Sequence, residues 1–165
     1  RPPAALVPFP VRPPSMITHH LHSEQWIERP RDEVFAFFSD ASNLERITPD
    51  ELRFEILSEQ PIEMKVGALI DYQLHLAGIP FKWKTEITAW NPPFSFEDTQ
   101  LKGPYAKWIH THRFEDHGHR TLIVDDVDYA LPLSPLGDLA YPVIKWQLGR
   151  IFGHRKKVIA GVFGS

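Results

Sequence analysis

Apolar and polar positions change period twice along this chain. Residues 17–29 alternate imperfectly but in the manner of a strand, and Pro30 ends the run. Pro30-Arg31-Asp32-Glu33 then forms a helix start, with proline and acids in the first turn and Val34, Phe37 and Phe38 as the stripe to be buried. A second short helix is predicted over residues 41–47, closed by Pro49. From there to Pro132 the period is two. Residues 52–57 alternate. Residues 69–77 place Ile70, Tyr72, Leu74 and Leu76 on one face, and Gly78-Ile79-Pro80 turns the chain. Residues 81–90 then set Phe81, Trp83, Thr85, Ile87 and Ala89 inward against Lys82, Lys84, Glu86 and Thr88. Asn91-Pro92-Pro93 breaks that strand before the next one, which carries Phe94, Phe96, Asp98 and Gln100 on one face. Beyond Pro142 the period becomes helical, through Ile144, Leu148, Ile151, Val158 and Val162. Gln147, Arg150, Arg155, Lys156 and Lys157 fall mostly outside that stripe. They are expected in water, where late basic residues favour the helix's negative end.

Strand, two short helices, about six further strands and one long helix make an α+β chain. An antiparallel sheet has one face for solvent, and the terminal helix is the one element long enough to cover the other. The predicted architecture is a curved antiparallel sheet of about seven strands wrapped around a long C-terminal helix, with two short helices after strand 1. A strongly curved sheet leaves space that one helix does not fill, and Tyr72, Phe81, Trp83, Phe94, Phe96 and Trp108 are candidates to line it.

Candidate chemistry concentrates in Trp108-Ile109-His110-Thr111-His112. As a strand, this segment turns Trp108, His110, His112 and Phe114 to the apolar side, and buried imidazoles require partners. A fold-back about Gly103-Pro104 sets Asp98 opposite His110, Gln100 opposite Trp108 and Phe96 opposite His112. A second fold-back at His117-Gly118 sets Asp125 opposite His110 and Ile123 opposite His112, with Ile123, Asp125, Val127 and Tyr129 on one face. His110 is thus expected between two carboxylates. Asp98, Gln100, His110, His112 and Asp125 admit three uses: orienting the polar end of an apolar ligand, catalysing proton transfer, or satisfying one another as a buried network. Two histidines and Asp98 also match a two-histidine, one-carboxylate metal set. His19, His20 and His22 form another histidine group, with no acidic or cysteine partner at ligand spacing nearby, and are read as exposed strand residues. No metal is expected at either group.

Composition narrows the classes. The 165 residues allow one domain with a sizeable core, and a net charge of −3 argues against nucleic acid as the main partner. The absence of cysteine excludes disulfides and thiolate chemistry. No apolar run approaches the roughly 20 residues that span a bilayer, so integral membrane insertion is not expected and the cytoplasm is the default location. Prolines at 2, 3, 8, 10, 13 and 14 mark residues 1–15 as an extended tail ahead of a single domain over residues 16–165. Met16, which opens the folded pattern, is a candidate translation start. Arg155-Lys156-Lys157 is too small a cluster for a membrane anchor and is read as a solvated helix end.

The order of elements resembles the helix-grip fold of the START/Bet v 1-like superfamily, also called SRPBCC, over roughly residues 17–163. The bacterial polyketide cyclase/dehydrase-like branch is most similar. The residues carrying the resemblance are Pro30-Arg31-Asp32-Glu33-Val34-Phe35 with Asn43-Leu44-Glu45; Trp90-Asn91-Pro92-Pro93; Asp98 to Gln100 with Gly103-Pro104; Trp108, His110 and His112; and Asp125, Val127, Tyr129, Leu131 and Pro132. The resemblance implies the fold and a ligand cavity but no single substrate, since members include lipid carriers, hormone receptors, ubiquinone-binding proteins, aromatic cyclases and chaperone activators. The expected function is binding, for carriage or sensing, of a hydrophobic or lipid-like small molecule, without a cofactor. Its expected contacts are Tyr72, Trp83, Phe96, Asp98, Gln100, Trp108, His110, His112, Asp125 and Tyr129. The alternatives are a polyketide cyclase or dehydratase, with His110 as general acid or base beside Asp98 and Asp125, and a non-enzymatic interaction module with a filled interior.

Overall fold

The computed structural model describes residues 16–164. In chain order these form β1 (His19–Ile27), α1 (Arg31–Phe38), α2 (Asn43–Ile47), β2 (Glu55–Ile56), β3 (Leu69–Leu76), β4 (Ile79–Asn91), β5 (Ser95–Lys102), β6 (Lys107–Asp116), β7 (Thr121–Ala130) and α3 (Tyr141–Phe163). Short 3-10 turns occupy Asp50–Leu52 and Leu136–Ala140. The strands make one antiparallel sheet in the order β1-β7-β6-β5-β4-β3-β2. Hairpins join β3 through β7, while α1 and α2 carry the chain from the β1 edge to the β2 edge. This is the α+β helix-grip architecture expected from the pattern. The Pro-rich stretch 1–15 lies outside the described residues.

Helix α3 lies along the concave face. Near its C-terminus, Ile159 and Phe163 pack with Phe35 and Phe38 of α1 and with Phe96, Phe114 and Ile123 of the sheet. Further toward its start, Leu148 and Phe152 pack with Trp83, Trp108, Val127 and Tyr129. Each such side chain removed from water is worth about 1.5–3 kcal/mol, so the two clusters hold the helix against the sheet at both ends.

The structure departs from the pattern in several places. Helix α1 buries Phe35 beside Val34 and Phe38, leaving Phe37 half-buried. The strand predicted over 52–57 shrinks to β2, because Leu52 belongs to a 3-10 turn and Arg53 takes a left-handed conformation (φ 43°). The turn before β4 is Ala77-Gly78, both at positive φ, so Ile79 and Pro80 join the strand. A register shift between Ile87 and Ala89 reverses the inward face: Ala89 is exposed and Trp90 packs against the core. Phe94 is half exposed beneath the Arg31 guanidinium. The β6–β7 turn centres on Gly118-His119, with His117 N–H donating to Arg120 O at 3.0 Å. That is one residue later than expected. The register therefore slides by two, setting His112 opposite Asp125 and His110 opposite Val127. A slide of two preserves which side chains face inward.

In α3 the buried stripe is Leu148, Phe152, Arg155, Ile159 and Phe163, with Ile151, Val158 and Val162 half-buried beside it. Arg155, expected in water, sits in that stripe because an internal anion receives it.

Candidate functional site

The pleat of β6 carries Trp108, His110, His112 and Phe114 to the concave side, all buried. The two imidazole centroids lie 3.7 Å apart at 31°. Phe96 on β5 stacks on His112 at 4.1 Å, and Phe152 from α3 approaches His110 at 5.7 Å. Neighbouring strands supply one carboxylate each: Asp98 pairs with His110 across β5–β6, and Asp125 with His112 across β6–β7. The hydrogen bonds run diagonally. His110 Nε2 lies 2.9 Å from Asp125 Oδ1, and His112 Nε2 lies 2.8 Å from Asp98 Oδ2. His112 Nδ1 is 3.0 Å from the same Asp125 Oδ1. Arg155 reaches across from α3 and donates to Asp125 Oδ1 at 3.3 Å, coming within 3.4 Å of His112 Nδ1.

This arrangement sets the charges. Burial resists ionisation of Asp125, but the Arg155 guanidinium and the two imidazole donors hold its carboxyl well below the usual range. Burial likewise opposes the charge on Asp98, and the His112 hydrogen bond, with both imidazoles nearby, outweighs it and lowers its pKa. Burial also works against an imidazolium at His112, yet hydrogen bonds to Asp125 and Asp98 raise its pKa above the ordinary histidine value. At His110 burial dominates and the adjacent His112 adds to it, so its pKa is lowered. Burial, with the Asp98 charge behind it, pushes the Tyr72 phenol well above its usual range, so Tyr72 is a neutral hydroxyl.

The cluster forms one wall of an interior cavity of about 180 Å³. The rest of the lining is largely apolar, including Phe38, Ile70, Leu74, Leu148 and Phe152. Trp83 also lines it, and the buried Trp83 Nε1–H has no hydrogen-bond partner among the described residues. A wider outer vestibule of about 800 Å³ shares Leu52, Leu76, Tyr105 and Ile151 with the cavity. Leu133, Val143 and Trp146 line that vestibule and are exposed.

Of the residues singled out in the sequence, Tyr72, Trp83, Phe96, Asp98, Trp108, His110 and His112 line the cavity. Gln100, Asp125 and Tyr129 do not. The Gln100 side chain spans the β5–β6 turn, donating to Tyr105 O at 2.7 Å and accepting from Tyr105 N–H at 3.3 Å. It lies so close to Gly103 that a Cβ there would meet its amide at 2.5 Å. Asp125 stands behind the imidazoles, and Tyr129 is core beside Trp108 and Tyr105. Phe81 lines the vestibule instead. Arg155 is the site residue that the sequence reading missed. Its signal was its spacing, seven after Leu148, three after Phe152 and four before Ile159.

Two clusters among the described residues gather three potential metal ligands each. Asp98, His110 and His112 each offer a donor atom within 4.8 Å of the others, and so do His20, His22 and Asp126 on the outer face. The β1–β7 register thus provides the acidic neighbours that the sequence did not reveal: His22 Nδ1 is 2.6 Å from Asp126 Oδ1, and His20 Nδ1 is 2.8 Å from Asp128 Oδ1. His19 turns away, hydrogen-bonding Asp138 and stacking on Tyr141.

Residues 27–151 match the family model described as polyketide cyclase/dehydrase and lipid transport. Among solved structures, the chain is similar to the Zhui aromatase/cyclase from Streptomyces sp. R1128 (17% identity, 90% of this chain and 94% of that one, TM-score 0.72). It is also similar to a norcoclaurine synthase point mutant from Thalictrum (16% identity, 89% and 97% covered, TM-score 0.65). The major latex-like protein 151 of Panax ginseng is a third (16% identity, 88% and 97% covered, TM-score 0.62). Identities this low establish the fold and not an activity. No curated protein sequence matches the chain significantly. No helix among the described residues is long and apolar enough to cross a membrane.

Proposed function

The chain belongs to the polyketide cyclase/dehydrase and lipid transport family within the SRPBCC superfamily, and from that premise we propose that it binds an apolar small molecule with one oxygen-bearing end. The observation carrying this reading is the polarity of the cavity: a largely apolar chamber with Asp98, His110, His112 and Arg155 gathered at one part of its lining. Size sets the occupant. A cavity of about 150 Å³ holds a benzene ring, so 180 Å³ takes one ring or a short branched chain. A longer tail would run into the vestibule past Leu52 and Tyr105. Apolar walls supply affinity through area removed from water, while the imidazoles and the unpartnered Trp83 N–H fix the oxygen.

The test is uptake of 2-naphthol, a fluorescent apolar body whose hydroxyl-bearing ring fills the chamber and whose second ring extends toward the vestibule. The wild-type protein should bind one equivalent. Ala41→Phe, which projects a ring into the cavity lining, should weaken binding at least tenfold, about 1.4 kcal/mol, with an unchanged far-ultraviolet spectrum. Equal uptake by that folded variant, or no uptake by the wild type, would sink the proposal. A second reading is ring closure or dehydration of a polyketide-like compound with His110 as general acid or base. It draws support from the family description and from His110 lining the chamber. It requires that His110→Ala abolish turnover while leaving affinity intact.

A further inference from the structure

We propose that Asp98, His110 and His112 form a site for one divalent transition metal of the zinc or ferrous class, set in the wall of the cavity. Asp125 faces the Arg155 guanidinium, a pure donor, at 3.3 Å and so stands as an acceptor. Its Oδ1 lies 2.9 Å from His110 Nε2 and 3.0 Å from His112 Nδ1, so both imidazoles can donate their N–H to it at once. In neutral rings that do so, His110 Nδ1 and His112 Nε2 are left as lone pairs. Those two nitrogens are the ones beside Asp98 Oδ2, at 3.8 and 2.8 Å. In that form three acceptors meet, and one cation can satisfy them together.

A single proton on His112 serves the shorter contact. It leaves the 3.8 Å separation to His110, longer than a hydrogen bond, unbridged. A metal serves all three. Ligands about 2.1 Å from a zinc ion stand roughly 3.0–3.5 Å from one another, and the two separations from Asp98, 2.8 and 3.8 Å, bracket that range. The outer shell is also complete. A metal-bound imidazole usually donates its other N–H to a carboxylate, and here one carboxylate serves both rings while Arg155 neutralises it at 3.3 Å. Two nitrogens and one carboxylate oxygen suit zinc or ferrous iron rather than calcium or magnesium. All three ligands line the cavity, so the unfilled coordination positions face the chamber. In that respect the inference rests on the chamber's being a binding site: the oxygen of the apolar ligand would meet a Lewis acid there.

The test uses the full chain, freed of metal with a chelator and carrying His20→Ala and His22→Ala, which removes the outer-face group. Co²⁺ should bind at one equivalent, with the visible bands of nitrogen- and oxygen-ligated cobalt and a Kd below about 10 μM. Zn²⁺ should displace it. Asp98→Asn, which keeps the side-chain shape, should weaken binding at least tenfold, as should Asp125→Asn through the lost orientation of both rings. Circular dichroism confirms that each variant is folded. Absence of stoichiometric Co²⁺ binding, or full affinity in folded Asp98→Asn, would overturn the site. Uptake of 2-naphthol by the metal-free protein separates the two ideas. Naphthol without cobalt removes the metal and leaves the chamber; cobalt without naphthol does the reverse. When both bind, naphthol should shift the cobalt bands, and unchanged bands would mean that the metal lies outside the chamber wall.

Discussion

Replacing Arg155 with methionine tests the account of the buried cluster most directly. Arg155 is 9% exposed, and its guanidinium lies 5.2 Å over Phe38 and 5.7 Å over Phe152 and donates to Asp125 Oδ1 at 3.3 Å. Methionine retains an unbranched stem of similar reach, so the chief loss is the positive charge opposite a buried carboxylate. Breaking a buried pair by removing one partner costs about 3–5 kcal/mol. Asp125 keeps its two imidazole donors, which softens the loss to about 2–3 kcal/mol. For a domain of this size that corresponds to a fall of roughly 4–12 °C in Tm. The assay is thermal and urea unfolding at pH 7 of wild type, Arg155→Met, Asp125→Asn and the double variant, with Lys156→Met as the neighbour control. Lys156→Met should stay within about 0.5 kcal/mol. In the Asp125→Asn background, Arg155→Met should cost at least about 1 kcal/mol less than in the wild type, because no carboxylate is orphaned. Additive costs, or an Arg155→Met as benign as the control, would mean that the guanidinium does not neutralise Asp125, and the charge assignment of the site would fall with it.

Three further outcomes follow from other parts of the molecule. Ile159→Ala, at a position 1% exposed between α1 and the sheet, should cost about 2–5 kcal/mol in urea unfolding, whereas half-buried Val158→Ala should cost distinctly less. Gly137→Ala should destabilise by about 1–3 kcal/mol, because a Cβ there would collide with the Pro132 carbonyl; hydrogen exchange should show the 131–140 segment loosening first. The His22–Asp126 pair should give a small pH signature. Its hydrogen bond to Asp126 raises the His22 pKa, so that contribution is complete below the unfolded value and is lost as pH rises through the raised one. Burial opposes the charge on Asp126, but His22 lowers its pKa on balance, so its contribution is present above the ordinary carboxylate value and is lost as pH falls. The stability difference between wild type and His22→Ala should therefore peak between about pH 4 and 6.5. Both groups face solvent, so it should stay under about 1 kcal/mol. A flat difference across pH 3–9 would remove the pair from the account.

Short-range periodicity determined a good deal about this protein. Alternation assigned Trp108, His110, His112 and Phe114 to one face, because pleat geometry requires it whatever the partners are. The Gly103-Pro104 turn was enough to pair Asp98 with His110 and Phe96 with His112. The change from period two to period 3.6 was enough for a sheet gripped by a terminal helix. What the tertiary structure alone decided concerns where separate elements meet. The two-residue slide at Gly118-His119 moved Asp125 from His110 to His112, since hairpin register depends on one turn position that composition does not specify. Gln100 went to its own turn rather than to the chamber because both backbone groups of Tyr105 lie within hydrogen-bond reach of its amide. Arg155 entered the core, against its charge, because the anion that accepts it lies 30 residues away on β7. Pairings of that kind leave no periodic trace: a period records which way a side chain points, and the solvation of a buried charge depends on what another segment brings to it.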